Sequence, residues 1–397
     1  MSKQSIALIG GGPAALLFAS FIDTTKYEVQ IYEKNKQCGR KFLVAGKGGF
    51  NLTHSEKLED FITRYTPSNF IEPALRSFSN DDLRNWLKEI GIPTIVGSSK
   101  RIYPEQEIKP IEVLTKILHF IEKRGVKINY EYNWTGWNAL GDLTFENGDA
   151  VKADKTVFAM GGGSWKVTGS DGSWLQSFLD RGVEVNQFEA SNCRYSVNWE
   201  EKFIANYAGE PLKNCFYSSG NKTQSGEIVL TQNGVEGNAI YALSPEIRKD
   251  LKRKGKAVVE IDFKPSWPKN KVLDVLSKSR FNKMTDILKK DLRLSKTQIS
   301  LLKNITSKDE FLSKTHLSHL IKIYPLTITD LTAIDDAIST VGGIALSSIN
   351  ESYELKAIPK NFTIGEMLDY DAPTGGYLLQ SCFSMGVYLA QKFNVEA

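Results

Sequence analysis

The sequence predicts an α/β fold, and three observations carry that prediction. Residues Ser5 to Ile9 form a short apolar run that enters Gly10-Gly11-Gly12-Pro13-Ala14-Ala15, followed by a helical apolar pattern through Phe21. A second strand, Tyr27 to Tyr32, ends in Glu33. Much later a buried-type strand, Thr156 to Met160, ends in Gly161-Gly162-Gly163. Strands alternating with helices in this way build a parallel sheet.

The first turn reads as G-x-G-x-x-A directly after a strand and opening a helix, the pattern of a dinucleotide site. Gly10 permits the tight turn, Gly12 lets the backbone approach a pyrophosphate, and Ala15 allows close helix–strand packing. Pro13 and Ala14 start the helix, whose first N–H groups and positive dipole end favour an anion. Glu33 follows Gly10 by 23 residues. An acid there accepts bonds from ribose hydroxyls and repels a 2′-phosphate, so the site favours FAD or NAD over NADP. The competing reading of Glu33 is a solvated strand end.

The next stretch, CGRKFLVAGKGGFNLTHS from Cys38 to Ser55, leans towards flavin. It places Arg40 and Lys41 beside the pyrophosphate end, then runs through Gly46, Gly48 and Gly49 to Asn51 and Thr53. Closely spaced glycines suit backbone packed against a flat ligand, or a nest of N–H groups. A mobile surface loop is the alternative. Lys34, next to Glu33, and Trp134 are counted with the cofactor contacts. Near Gly161 and Gly162, Ala159-Met160-Gly161 stands where two-dinucleotide flavoproteins return the chain to the cofactor with Ala-Thr-Gly.

The stretches GGGPAALL, GRKFLVAGKGGFNLTHS, GGGSWKVTGSDG, VGGIALSSIN and GEMLDYDAPTGGYLLQ span residues 8 to 388. On these motifs the chain resembles a bacterial flavoprotein family that includes the aminoacetone-oxidase-like enzymes and a bile-acid reductase. The segments GKGGFNLTHS, GGSW and SNCRY resemble a less studied branch of it. The resemblance implies a Rossmann-like FAD-binding domain formed from both chain ends, 1–190 and 323–397. It also places Gly365 and Glu366 at a strand end, with Glu366 on the ribityl hydroxyls. Gly375 and Gly376, followed by Tyr377, then open the last helix at the flavin's pyrimidine edge. Negative charge gathers there on reduction, and a helix N-terminus stabilises it. An ordinary cap on a packing helix is compatible with the same residues. Many family members carry Asn where this chain has Leu378.

Between the two halves the pattern changes. Residues 191–265 read as a small inserted β domain, since Val259, Ile261 and Phe263 alternate with Glu260 and Asp262. Residues 266–322 read as a helical insert, with Val272, Val275, Leu276, Met284, Ile287, Leu288, Leu301, Leu302 and Ile305 at helical spacing. Residues 264–322 hold 12 Lys and 2 Arg against 4 Asp and 1 Glu, a net of +9, so the rest of the +4 chain nets −5. A solvated face accounts for such charge; a docking surface for RNA or an acidic protein is the rival.

No metal site is expected: four cysteines (Cys38, Cys193, Cys215, Cys382) and four histidines include no CxxC pair, and His316 and His319 have no suitably spaced partner. The missing CxxC also argues against a glutathione-reductase type of disulfide chemistry. Cys193 and Cys382 read as small packing residues. Three glycines and Pro13 break the N-terminal apolar run, which is therefore not a signal peptide, and no stretch is long enough to cross a bilayer. A reduced, cytoplasmic setting is expected.

Flavin carries the electrons, so the chain is expected to be an FAD-dependent oxidoreductase transferring hydride to or from a small-molecule substrate. The alternative is an RNA-associated flavoprotein using the basic insert. A second G-x-G-x-x-G is missing, so any NAD(P)H donor binds without its own Rossmann domain. Catalytic residues are not identified, with Arg101 and Lys109 as candidates for orienting a carboxylate or carbonyl.

Overall fold

A computed structural model describes residues 3–44, 50–105 and 108–396. The chain divides into two units, residues 1–191 with 334–397, and residues 192–333. The predicted contacts Gly46 and Gly48 lie outside the described residues.

The first unit is built on five parallel strands: Gln4–Ile9 (β1), Tyr27–Glu33 (β2), Lys127–Tyr130 (β3), Lys155–Phe158 (β4) and Asn361–Thr363 (β5). Their order is β5-β4-β1-β2-β3. β1 is buried over its last four residues, as a strand covered on both faces must be. Between β1 and β2 lies helix Pro13–Phe21 (α1), with Pro13 in the first turn, where its missing N–H costs nothing. β1 pairs with β2 on one side and β4 on the other. The order reverses at β1, and in open α/β sheets ligands bind at such a switch point, outside the carboxyl ends of the strands.

The last helix, Tyr377–Glu396 (α2), lies across α1. Gly386 makes the crossing close, because a side chain there would run into the Ala14 carbonyl and the Phe18 amide. Further along, the Tyr27 hydroxyl donates to the Phe393 carbonyl at 2.9 Å. The chain's two ends thus share one core.

In the second unit seven strands run in the order 324–328, 257–262, 211–219, 222–231, 234–236, 195–196 and 330–331. Within Ala257–Asp262 the buried residues are Ala257, Val259 and Ile261, the predicted alternation. Helices Lys269–Lys278, Lys296–Asn304 and Lys314–Lys322 follow. The sequence reading returned the chain to the first unit at residue 323. The structure moves that return to Ile334, because Tyr324–Ile328 pairs antiparallel with Ala257–Asp262. A change in composition marks the end of the helices, and the strand after them still belongs to the sheet.

Candidate functional site

At the end of β1, Gly10 has φ +97°, and a β-carbon there would lie 2.6 Å from the Ala159 carbonyl oxygen. Only glycine fits this position. Gly11 donates its N–H to Glu33 Oε2 at 2.7 Å, while Oε1 accepts from the Asn35 backbone and side chain at 2.8 and 2.7 Å. Glu33 is therefore a buried brace between the glycine turn and the end of β2. Oε1 already accepts two bonds, whereas Oε2 accepts one and retains lone-pair capacity for a ribose hydroxyl. Gly12 differs from both neighbours. Among the described residues a β-carbon there would meet no atom nearer than 3.8 Å, so they leave the space over the first turn of α1 open.

The predicted cationic pair is split. Arg40 donates to Asn35 Oδ1 at 2.8 Å, whereas Lys41 bonds Ser164 Oγ at 2.9 Å and Glu366 Oε2 at 3.0 Å. Lys34 pairs with Asp171 at 2.9 Å. Gly365–Met367 forms a 3-10 turn just after β5, rather than a strand end, and Glu366 also accepts the Thr340 N–H at 3.2 Å. Gly161 has φ +78°, and a side chain on Gly162 would strike Thr340 Oγ1 and Glu366. Trp134 sits in an aromatic cluster with Trp137, Phe158 and Phe178; its Nε1 is buried with no partner among the described residues.

The Lys41–Glu366 pair supports a direct prediction. Glu366 is 9% exposed and Lys41 26%. Lys41→Met leaves a nearly buried carboxylate with one N–H donor, and is expected to cost about 2 kcal/mol in urea unfolding. Lys41→Arg should recover most of that loss. An unchanged midpoint for Lys41→Met would count against the pair as a structural tie.

The start of α2 gathers the second cluster. Gly375 and Gly376 have φ +106° and +98°, and a β-carbon on Gly376 would lie 2.6 Å from Thr53 Cα and 2.8 Å from Asn51 Nδ2. Arg101 Nε would lie 3.4 Å from a β-carbon on Gly375. Arg101 stands opposite His54 in a strand pair, and its side chain has no polar partner among the described residues. Lys109, by contrast, is exposed and precedes helix Pro110–Lys123, with no side-chain bond to this cluster among the described residues.

Three residues of this cluster escaped the sequence reading. His54 stacks on Tyr377 with ring centroids 5.2 Å apart, and burial pushes its imidazole below the ordinary value. The Tyr377 hydroxyl donates to Glu56 Oε2 at 2.8 Å, and Arg64 forks onto the same carboxylate. Burial works to raise the Glu56 carboxyl, but the bonds from Arg64 and Tyr377 outweigh it and hold it below the usual range. His54 lay inside a quoted motif; Glu56 and Arg64 carried no local signal. Cys382 is buried, and burial, then Glu366, pushes its thiol up to about 12, so packing is its role.

Among the described residues no group of three or more His, Cys, Asp or Glu could hold a metal ion. None of their helices is long and apolar enough to cross a membrane.

Fold and site together define the class, an FAD-dependent oxidoreductase on a Rossmann-type domain. The chain belongs to the HI0933-like family, whose Rossmann-domain model matches residues 4–392. It is 24% identical over 416 residues to the 3-dehydro-bile acid delta(4,6)-reductase of Clostridium scindens, covering 98% of this chain and 99% of that one. It is 22% identical over 390 residues to the ribosomal RNA dihydrouridine synthase of Haemophilus influenzae, covering 95% of each. In fold it is similar to a flavocytochrome c3 fumarate reductase, with TM-score 0.53, 14% identity and coverage of 99% of this chain and 78% of that one. The 3-ketosteroid delta1-dehydrogenase of Sterolibacterium denitrificans gives TM-score 0.51 at 10% identity over the whole of both chains. The motif-based resemblance to flavoproteins that include a bile-acid reductase is thereby borne out.

The residues present fit FAD. The open space at Gly12 suits a pyrophosphate, and Glu33 Oε2 has a lone pair that suits a ribose hydroxyl. Thr53 Oγ1, beside Gly376, is fully buried with no partner among the described residues, an atom that a bound ligand could satisfy.

Proposed function

We propose that the chain reduces a carbon–carbon double bond conjugated to a carbonyl, with FAD held between the Gly10–Ala15 turn and the head of α2. The observation that carries this reading is the Arg101 guanidinium, unpaired among the described residues and set beside Gly375. A cation and a helix N-terminus at one place suit an oxygen that gains negative charge during reaction. When bound and reduced by two electrons from a nicotinamide donor, FAD would supply the hydride through its N5. Hydride at the β-carbon and a proton at the α-carbon complete the reduction, while Arg101 holds the carbonyl oxygen. By their names, the two relatives reduce a 3-oxo bile acid at positions 4 and 6 and form dihydrouridine. Both are saturations of a double bond joined to a carbonyl.

The test is an anaerobic visible spectrum before and after NADH and then NADPH, followed by addition of a 4-en-3-one steroid and of uridine-containing RNA. Bleaching by a nicotinamide and recovery with either acceptor supports the reading. A bound flavin that neither donor bleaches points to oxidation of a substrate instead. A colourless protein that takes up no added FAD rejects it.

RNA as the substrate carrier is the second reading. It is favoured by the net +9 of residues 264–322 and by the relative that acts on ribosomal RNA. Phosphate contacts make binding fall steeply with salt, so filter binding of a ribosomal RNA fragment across a salt series tests it. No binding at low salt ends the RNA reading and leaves the small-molecule one.

A further inference from the structure

The head of α2 is held by more than packing. Tyr377, the first residue of the helix, is 7% exposed and rests on Phe61, with ring centroids 4.6 Å apart. The Tyr65 hydroxyl donates to its carbonyl at 2.7 Å. Its own hydroxyl goes to Glu56, whose side chain is only 14% exposed. A half-buried carboxylate this close to a helix start opposes any further negative charge gathering there. Arg64 sits on that carboxylate, with Nε on Oε2 at 3.0 Å and a second nitrogen on Oε1. The pair is neutral as a unit, and one hydroxyl links it to the helix that the glycines bring against Thr53. Beside that contact lies the fully buried Thr53 Oγ1, without a partner among the described residues.

We infer that Glu56 and Arg64 are positioning residues whose balanced charge, transmitted through Tyr377, sets how readily the bound flavin is reduced. The inference rests on the reading that the head of α2 faces the flavin. The physical point is sign. Glu56→Gln leaves Arg64's positive charge uncompensated near the helix start, which favours negative charge on the reduced ring. Arg64→Gln leaves Glu56's negative charge uncompensated and disfavours it. If the cluster served only to pin the turn, both changes would loosen the same contact and act in one direction.

The experiment is dye-equilibrated reduction of the FAD-loaded protein, comparing wild type, Glu56→Gln and Arg64→Gln, with FAD content and melting temperature recorded for each. Glu56→Gln is expected to reduce more readily than wild type and Arg64→Gln less readily. Each shift should be about tenfold in the ratio of reduced to oxidised flavin at fixed dye potential. Shifts of the same sign, or none, overturn the inference. If Glu56→Gln does not retain FAD, Arg64→Lys replaces it. Lysine keeps the charge and should match wild type, while Arg64→Gln falls below; equal values for the two overturn the inference. Failure of the wild type to bind FAD sinks the flavin reading itself, whereas normal FAD with unmoved variants sinks only this inference.

Discussion

Gly12→Val is expected to strip the protein of its FAD and leave the fold standing. Gly12 precedes α1 at φ −83°, a conformation open to any residue. Among the described residues a β-carbon there would approach no atom closer than 3.8 Å, at the Ala159 carbonyl oxygen. The chain itself therefore has no need of glycine at this point. A ligand does, because valine methyls would fill the space over the free N–H groups that open α1. FAD retained through purification should fall by more than about tenfold, and the melting temperature of the apoprotein should stay within about 3 °C. Gly10→Val is the contrast. Its φ of +97° and the 2.6 Å approach to Ala159 make that change a folding defect, with or without FAD. If Gly12→Val keeps its FAD, the first glycine turn is not where the pyrophosphate binds.

The same contrast explains which parts of the site were legible in the sequence. Gly10, Gly12, Ala15 and Glu33 belong to one βαβ unit, and the turn chemistry that joins them is encoded within a few tens of residues. The hydrogen bond from Gly11 to Glu33 closes over 22 positions. The Ala257–Asp262 alternation was legible for the same reason, since period two is a local property.

The head of α2 was legible only in part. Gly375 and Gly376 announce a turn, but what Gly376 packs against, Thr53 and Asn51, lies more than three hundred residues earlier. Tyr377 meets Glu56 across 321 positions, and Lys41 meets Glu366 across 325. No periodicity connects such pairs; a carboxylate at position 56 reads as surface charge until the fold closes over it. The boundary at residue 323 moved for a related reason. Composition shifts where the basic helices end, but strand pairing decides where the sheet ends, and pairing is non-local.

Arg101 is the residue on which the proposed chemistry depends most, and its removal has the second large expected effect. It lies on a strand paired with Thr53–His54, so the backbone that supports the head of α2 also carries the guanidinium. Arg101 is half-buried, a place beside a helix N-terminus is unfavourable for a cation, and no carboxylate among the described residues bonds it. A position that costs stability in this way is explained by an anionic or strongly polarised oxygen that arrives with the substrate. Arg101→Gln should then leave FAD content unchanged and lower the rate at which an enone acceptor reoxidises the reduced protein by about a hundredfold. Arg101→Lys, which keeps the charge and loses the fork, should fall between the two. Dithionite reduction separates this from a cofactor effect, because it needs no substrate contact and should proceed equally in all three proteins. Reoxidation at the wild-type rate in Arg101→Gln would move the oxygen-binding role to another group and leave the cation beside Gly375 without a function.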